Sequence, residues 1–160
     1  MVSTPSLKMP IIRASKINHK SGIPHPLVRF VTEETVALLF NLELEEIYRI
    51  DCWRHVVYVH GKGVSKFVSY ADFPPILGVE APTPSDFVRW RKRWKNRWKR
   101  QVAPEFWEKL YSHYFNQAST EAQLVAWGKL VAVIKSVLPI AAVQHLRDAY
   151  KYEKHLWENF

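Results

Sequence analysis

A run of basic and aromatic residues in the middle of the chain carries the strongest chemical signal in the sequence. The fifteen residues DFVRWRKRWKNRWKR, at positions 86–100, contain eight Arg or Lys side chains and three Trp spaced four residues apart. Guanidinium and ammonium groups bind phosphate and carboxylate oxygens, and Arg can do so through two parallel hydrogen bonds. The run therefore predicts a surface that binds an anion.

The charges in this run have one sign and recur at helical spacing. A helix would place Arg89 beside Arg93 and Arg93 beside Arg97, where like charges repel by about 0.2–0.5 kcal/mol per pair. Ordinary surface helices mix the two signs, so an anionic partner lying against this helix would explain the arrangement. We expect the partner to be contacted by seven cations: Arg89, Lys92, Arg93, Lys95, Arg97, Lys99 and Arg100.

Three classes of anionic partner fit such a helix. Nucleic acid is the leading expectation, because phosphate contacts by Lys and Arg release counterions and supply most sequence-independent affinity. The protein would then be a regulator or a small subunit of a nucleoprotein complex, with RNA or single strands slightly favoured over duplex because aromatic rings stack on unpaired bases. The alternative is an acidic protein, bound by an adaptor or assembly factor. A membrane surface, which also binds helices with Trp and basic faces, is the least favoured.

The three tryptophans of the run have two interpretations. At about 100° per residue, Trp90, Trp94 and Trp98 fall within roughly 80° of one another on a helix. Such a stripe usually packs on a core, but an exposed stripe would stack on bases. We expect Trp94, the middle residue, to pack in the core.

Groups that would carry catalysis are few. The seven His residues form no HxH or HxxxH spacing near carboxylates, so neither a metal nor another cofactor is expected. HGKG at 60–63 lacks the length and the trailing Ser or Thr of a phosphate-binding loop, and it predicts a turn instead. Convergence of Asp51, His55 and Asp72 on a sheet face would resemble an active site, but hydrogen-bonded surface residues explain these side chains as well. We expect a binding protein rather than an enzyme.

The cysteine count and the hydropathy limit the cellular compartments that fit this chain. One cysteine, Cys52, excludes an internal disulfide and a multi-cysteine zinc site, and it fits the interior of a strand as a small apolar side chain. No stretch reaches the roughly 18–20 uninterrupted apolar residues that span a bilayer. The N-terminus lacks the apolar segment of a secretory signal. We expect a cytoplasmic protein.

The net charge of +8 is distributed unevenly along the chain. Residues 1–32 carry +5 without any acid, residues 33–82 carry −4, residues 83–102 carry +7, and residues 103–160 are balanced. Two cationic segments on a neutral or acidic body again indicate a polyanionic or acidic partner.

The N-terminal half predicts an arm, a helix and a small sheet. Residues 1–26 contain four Pro and no sustained periodicity, which indicates a disordered, extended basic arm. Thr32 is expected to cap a short helix that stops at Asn41. Residues 27–80 otherwise hold dense β-branched and aromatic residues, which predict three antiparallel strands: 46–53, 55–60 and 64–70.

Residues 83–160 predict a bundle of about four helices. The basic helix begins at 83–85 and runs to about 102, and Pro104 suits the first position of the next helix. Thr120 and Gln123 form a capping-box pattern before an apolar helix. The predicted fold class is therefore α+β, with the helical region packed on the sheet as one compact unit.

Overall fold

A computed structural model describes residues 14–95 and 104–159. Within these residues the chain forms five α-helices and one four-stranded mixed sheet, so the predicted α+β class is confirmed. Residues 1–13 of the predicted arm and the end of the predicted basic helix lie outside the described residues, as do Trp98, Arg97, Lys99 and Arg100.

The sheet has the strand order β1–β2–β3–β4. Its strands are Ile17–His19 (β1), Ile47–Cys52 (β2), Val57–Gly61 (β3) and Val64–Val68 (β4). β2, β3 and β4 pair in antiparallel fashion, as the sequence predicts. Gly63 occupies the turn between β3 and β4 with a φ of 70°, a conformation that glycine adopts without strain.

β1 corrects the prediction for the N-terminal segment. Ile17–His19 belongs to the residues predicted as an arm, yet it pairs in parallel with β2. The Ile50 N–H donates to the Lys16 carbonyl at 2.8 Å, and the Lys20 N–H donates to the Cys52 carbonyl at 2.9 Å. The sheet is therefore four-stranded and mixed rather than three-stranded and antiparallel. A strand of three residues is too short to show a period of two in the sequence.

The first helix begins and ends where its capping residues predict. α1 spans Glu33–Phe40, and the Thr32 hydroxyl accepts a hydrogen bond from the Thr35 N–H at 3.1 Å. Asn41 follows in the left-handed conformation with a φ of 54°, which asparagine tolerates better than most residues.

The C-terminal half is helical, as the sequence predicts. Its helices are Pro84–Lys95 (α2), Glu105–Gln117 (α3), Glu121–Ile134 (α4) and Ile140–Glu158 (α5). α3 packs against both α4 and α5, and Thr120 caps α4. Among the described residues, no helix combines the length and the apolar character needed to cross a membrane.

A tryptophan pair marks where the helices meet the rest of the core. Trp90 of α2 and Trp107 of α3 are fully buried, and their ring centroids lie 5.3 Å apart at 90°. The ring centroid of Phe30, which precedes α1, lies 6.0 Å from that of Trp90. The 3₁₀ turn Tyr70–Asp72, which follows β4, also contacts α2. These contacts fix α2 beside one end of the sheet.

Candidate anion-binding cleft

A reciprocal cap fixes the start of α2. The Asp86 N–H donates to the Thr83 hydroxyl at 3.2 Å, and the Thr83 N–H donates to Asp86 Oδ2 at 2.9 Å. Pro84 takes the first helical position, where a missing N–H costs nothing. The arrangement satisfies two backbone N–H groups at the helix start.

Asp86 also ties α2 to the segment before α1. It is buried, and it forms ion pairs with Arg29 and, at 3.4 Å, with Arg89. Arg29 also donates to the backbone carbonyls of Glu80 and Ala81 at 3.0 and 3.1 Å. Burial alone would raise the pKa of Asp86, but hydrogen bonds from Arg29 and Thr83 outweigh it and lower the pKa overall. Asp86 is therefore an ionised anchor.

A cleft of about 280 Å³ opens between α2, the loop before α1, the loop between β2 and β3, and the 3₁₀ turn after β4. None of the described side chains that line it is acidic. Five of them carry nitrogen that can donate a hydrogen bond: His25, His55, Arg89, Lys92 and Arg93. Such a group of donors suits a ligand with several acceptor oxygens, such as a phosphate.

His25 is held as a neutral imidazole. Its ring stacks on Tyr70, with centroids 4.1 Å apart and planes within 9°. Burial lowers the pKa of His25 to about 4, and the positive charges of Arg89 and His55 add to the effect. Nδ1 accepts a hydrogen bond from the Leu27 N–H at 3.0 Å, so at neutral pH the ring proton is on Nε2. His25 is thus an uncharged donor.

Arg93 is bound to a carboxylate in the wall of the cleft. Its Nη2 lies 3.2 Å from Asp72 Oδ2, and its Nε lies 3.4 Å from Oδ1. Both side chains are largely removed from solvent. Burial raises the pKa of Asp72, and hydrogen bonds from Arg93 and the backbone offset only part of that rise. The pair fixes the 3₁₀ turn after β4 against α2.

The seven predicted cations lie in different surroundings. Arg89, Lys92 and Arg93 line the cleft together, although Arg89 also pairs with Asp86 and Arg93 with Asp72. Lys92 and Lys95 are exposed, and neither forms an ion pair within the described part of the chain. The other three predicted cations, Arg97, Lys99 and Arg100, lie outside it.

The tryptophan stripe of α2 faces inward over its described length. Trp90 is completely buried, and Trp94 is half-buried with its ring centroid 4.8 Å from that of Trp107. The indole N–H groups of Trp90 and Trp94 are buried and find no hydrogen-bond partner among residues 14–95 and 104–159. The expectation that Trp94 packs in the core is confirmed. Trp90 is therefore not available as an open platform for bases, and the Trp94 ring packs against Trp107.

Two histidines of the cleft carry no signal in the sequence that marks them as a pair. His25 lies in the predicted arm, and His55 lies between two strands. His25 follows β1, which pairs with the sheet, and His55 lies in the loop after β2, so both line the cleft beside α2. Asp51, which the sequence groups with His55 and Asp72 on a sheet face, lies on such a face and accepts hydrogen bonds from Arg49 and Asn18, but His55 lines the cleft rather than the cavity beside Asp51.

Within the described ranges, no group of three or more His, Cys, Asp or Glu side chains is arranged to hold a metal ion. No protein-family model, curated protein or solved structure matches this chain.

Proposed function

We propose that this chain is a non-enzymatic nucleic-acid-binding protein, a regulator or a small subunit of a nucleoprotein complex in the cytoplasm. The observation that supports the proposal best is the convergence of Arg89, Lys92 and Arg93 with two histidines on a cleft whose described lining has no acid. The phosphates of the bound strand lie along α2 and at the mouth of this cleft.

The cations of α2 have different roles in this proposal. Lys92 and Lys95 are exposed and free of carboxylate partners within the described residues, so they make the principal phosphate contacts. Arg89 shares its charge with Asp86 at the longer distance of 3.4 Å and retains a side-chain exposure of 37%. Arg93 is largely buried against Asp72, so its main role is to hold the wall of the cleft in place.

Histidine adds a second kind of contact to this surface. A neutral His25 donates through Nε2 without adding charge, and it lies beside the cationic side chains of α2. A phosphate oxygen in the cleft would stabilise the protonated ring, so strand binding raises the pKa of His25 from its low value.

Two double variants test the proposal. One removes two cations from α2, and the other removes two cations from elsewhere in the chain. The test variant is Lys92→Gln/Lys95→Gln, and the matched control is Lys135→Gln/Lys151→Gln, which lowers the net charge equally through two exposed residues, one directly after α4 and one in α5. Fluorescence anisotropy with a labelled single strand gives the dissociation constant at several salt concentrations.

A phosphate contact on a single strand contributes about 0.7 to the slope of log K against log salt, so the test variant should flatten that slope by about 1.4. The control should retain the slope of the parent. Equal losses in the two variants would mean that only the overall charge attracts the strand, and unchanged binding by the test variant would remove the site from α2.

Purification without nuclease separates nucleic acid from an acidic protein as the partner. A protein with the ultraviolet spectrum of bound nucleic acid agrees with the proposal. A protein that elutes free of nucleic acid but retains one acidic protein supports the adaptor alternative instead.

A further inference from the structure

One face of the sheet exposes a row of aromatic rings. Strand alternation turns Val57 and Val59 of β3 into the core, and it places Tyr58 on the opposite face. There Tyr58 lies opposite Phe67 of β4 in the strand register. Phe67 is 66% exposed, and Trp53, at the end of β2, is 45% exposed. Contiguous exposed apolar side chains mark a binding surface more often than isolated ones do.

The rings on this outer sheet face are held in place by their neighbours. The ring centroids of Tyr58 and Phe67 are 5.0 Å apart, and the Tyr58 hydroxyl is 2.5 Å from the Ser65 hydroxyl. The Arg49 guanidinium lies 5.6 Å from the centre of the Tyr58 ring. The rings and Arg49 border an open cavity of about 380 Å³. Flat rings around an open cavity suit a planar ligand.

The outer sheet face is joined to the cleft by one short loop. Trp53 and Val56 line the cavity on the sheet, and His55, between them in the sequence, lines the cleft beside α2. Arg54 is exposed in the same loop. Asp51, the carboxylate on the face, is buried and accepts hydrogen bonds from two neighbours. The loop between the rings and α2 therefore carries one exposed cation, Arg54, and no carboxylate.

We propose that the outer sheet face stacks unpaired bases of the single-stranded nucleic acid whose phosphates α2 binds. The inference rests on the proposed function, and it assigns base contact to Trp53, Tyr58 and Phe67 because Trp90 and Trp94 are packed in the protein. Base stacking on an aromatic side chain accepts any sequence, since every base has a flat face. A phosphate backbone, unlike an apolar peptide, also fits the cations Arg54 and Lys92 and the hydrogen-bonding ring of His55.

The test compares two substitutions on two strands. Phe67→Ala removes the most exposed of the three rings, and Tyr152→Ala removes a ring of similar exposure, 63%, from α5. Each variant is titrated with a short oligothymidylate and with an abasic strand of the same length, which keeps the phosphates but has no bases. Phe67→Ala should bind the oligothymidylate about 5- to 150-fold more weakly and the abasic strand as the parent does. Tyr152→Ala should match the parent on both.

The outcomes separate this inference from the proposed function. If the parent protein binds neither strand, both fail. If Phe67→Ala binds both strands like the parent while Lys92→Gln/Lys95→Gln loses affinity, the phosphate site stands and the stacking role is wrong. If Phe67→Ala weakens both strands equally, or converts a dimeric parent to a monomer on light scattering, the face has another role and the stacking proposal is overturned.

Discussion

Two buried tryptophans at the contact of α2 with α3 differ in a hydrogen bond, and the difference predicts unequal costs for the same substitution. Trp90 and Trp107 are both fully buried. The Trp107 indole N–H donates to the Asp72 carbonyl at 3.0 Å, whereas the Trp90 N–H has no partner among the described residues. Replacement by Phe removes the indole N–H at either site and leaves a similar small cavity.

The expected difference follows from the cost of unpaired polar groups in a core. Trp107→Phe leaves the Asp72 carbonyl without this donor, which costs about 1–3 kcal/mol beyond the loss of packing. Trp90→Phe removes a buried donor that has no acceptor among the described residues, so the recovered desolvation energy offsets part of the packing loss. We expect Trp107→Phe to lower the free energy of unfolding by about 2 kcal/mol more than Trp90→Phe does.

Urea denaturation followed by far-ultraviolet circular dichroism measures both costs on the same helical signal. The dependence of stability on urea should match that of the parent, so that the midpoints report stability alone. Equal losses, or a larger loss for Trp90→Phe, would refute the reasoning, because the Trp90 N–H would then have to be hydrogen-bonded in the folded protein.

Three further predictions follow from the same contacts. Arg93→Ala strands the buried Asp72 carboxylate and should cost about 3–5 kcal/mol in urea denaturation, whereas Lys92→Ala, on the exposed side of α2, should stay within about 0.5 kcal/mol of the parent. Because the pKa of His25 is lowered to about 4 in the folded protein, the unfolded chain takes up that proton first as the pH falls below 6.5. Stability should therefore fall between pH 6.5 and pH 4 by about 2 kcal/mol, discounted for partial exposure, and His25→Asn should remove this part of the pH dependence. Trp94→Ala should cost about 3 kcal/mol, the low end for aromatic truncation since the ring is half-buried, and a variant that melts like the parent would contradict its packing on the core.

Capping and turn residues in the sequence predicted the elements whose ends depend on neighbouring residues. Thr32 and Asn41 bound α1 because a cap and a left-handed residue act within one turn of the helix. Thr120 marks the start of α4 for the same reason. The antiparallel meander followed from β-branched and aromatic residues together with Gly63 at a turn. β1 could not be found in this way, because its three residues are defined by hydrogen bonds to β2.

Sequence patterns predicted the cations of the candidate cleft but not the contacts that those cations make. The density of cations on α2 was readable from the sequence, but the burial of Arg93 was not, because its partner Asp72 lies far away along the chain. A helical periodicity tells which residues share a face, but it does not tell which carboxylate will meet that face. His25 follows β1, whose parallel pairing no local pattern predicts, and His55 lies in the loop between β2 and β3.

The claim that the cleft beside α2 holds the anionic partner is tested most directly by nuclear magnetic resonance on the labelled full chain. A short oligothymidylate is added stepwise while backbone amide and imidazole signals are followed. We expect the largest shifts at Arg89 and Lys92 and on the rings of His25 and His55, with the pKa of His25 rising above about 4. Shifts concentrated on α4 and α5, or a spectrum that does not change with added strand, would contradict the account.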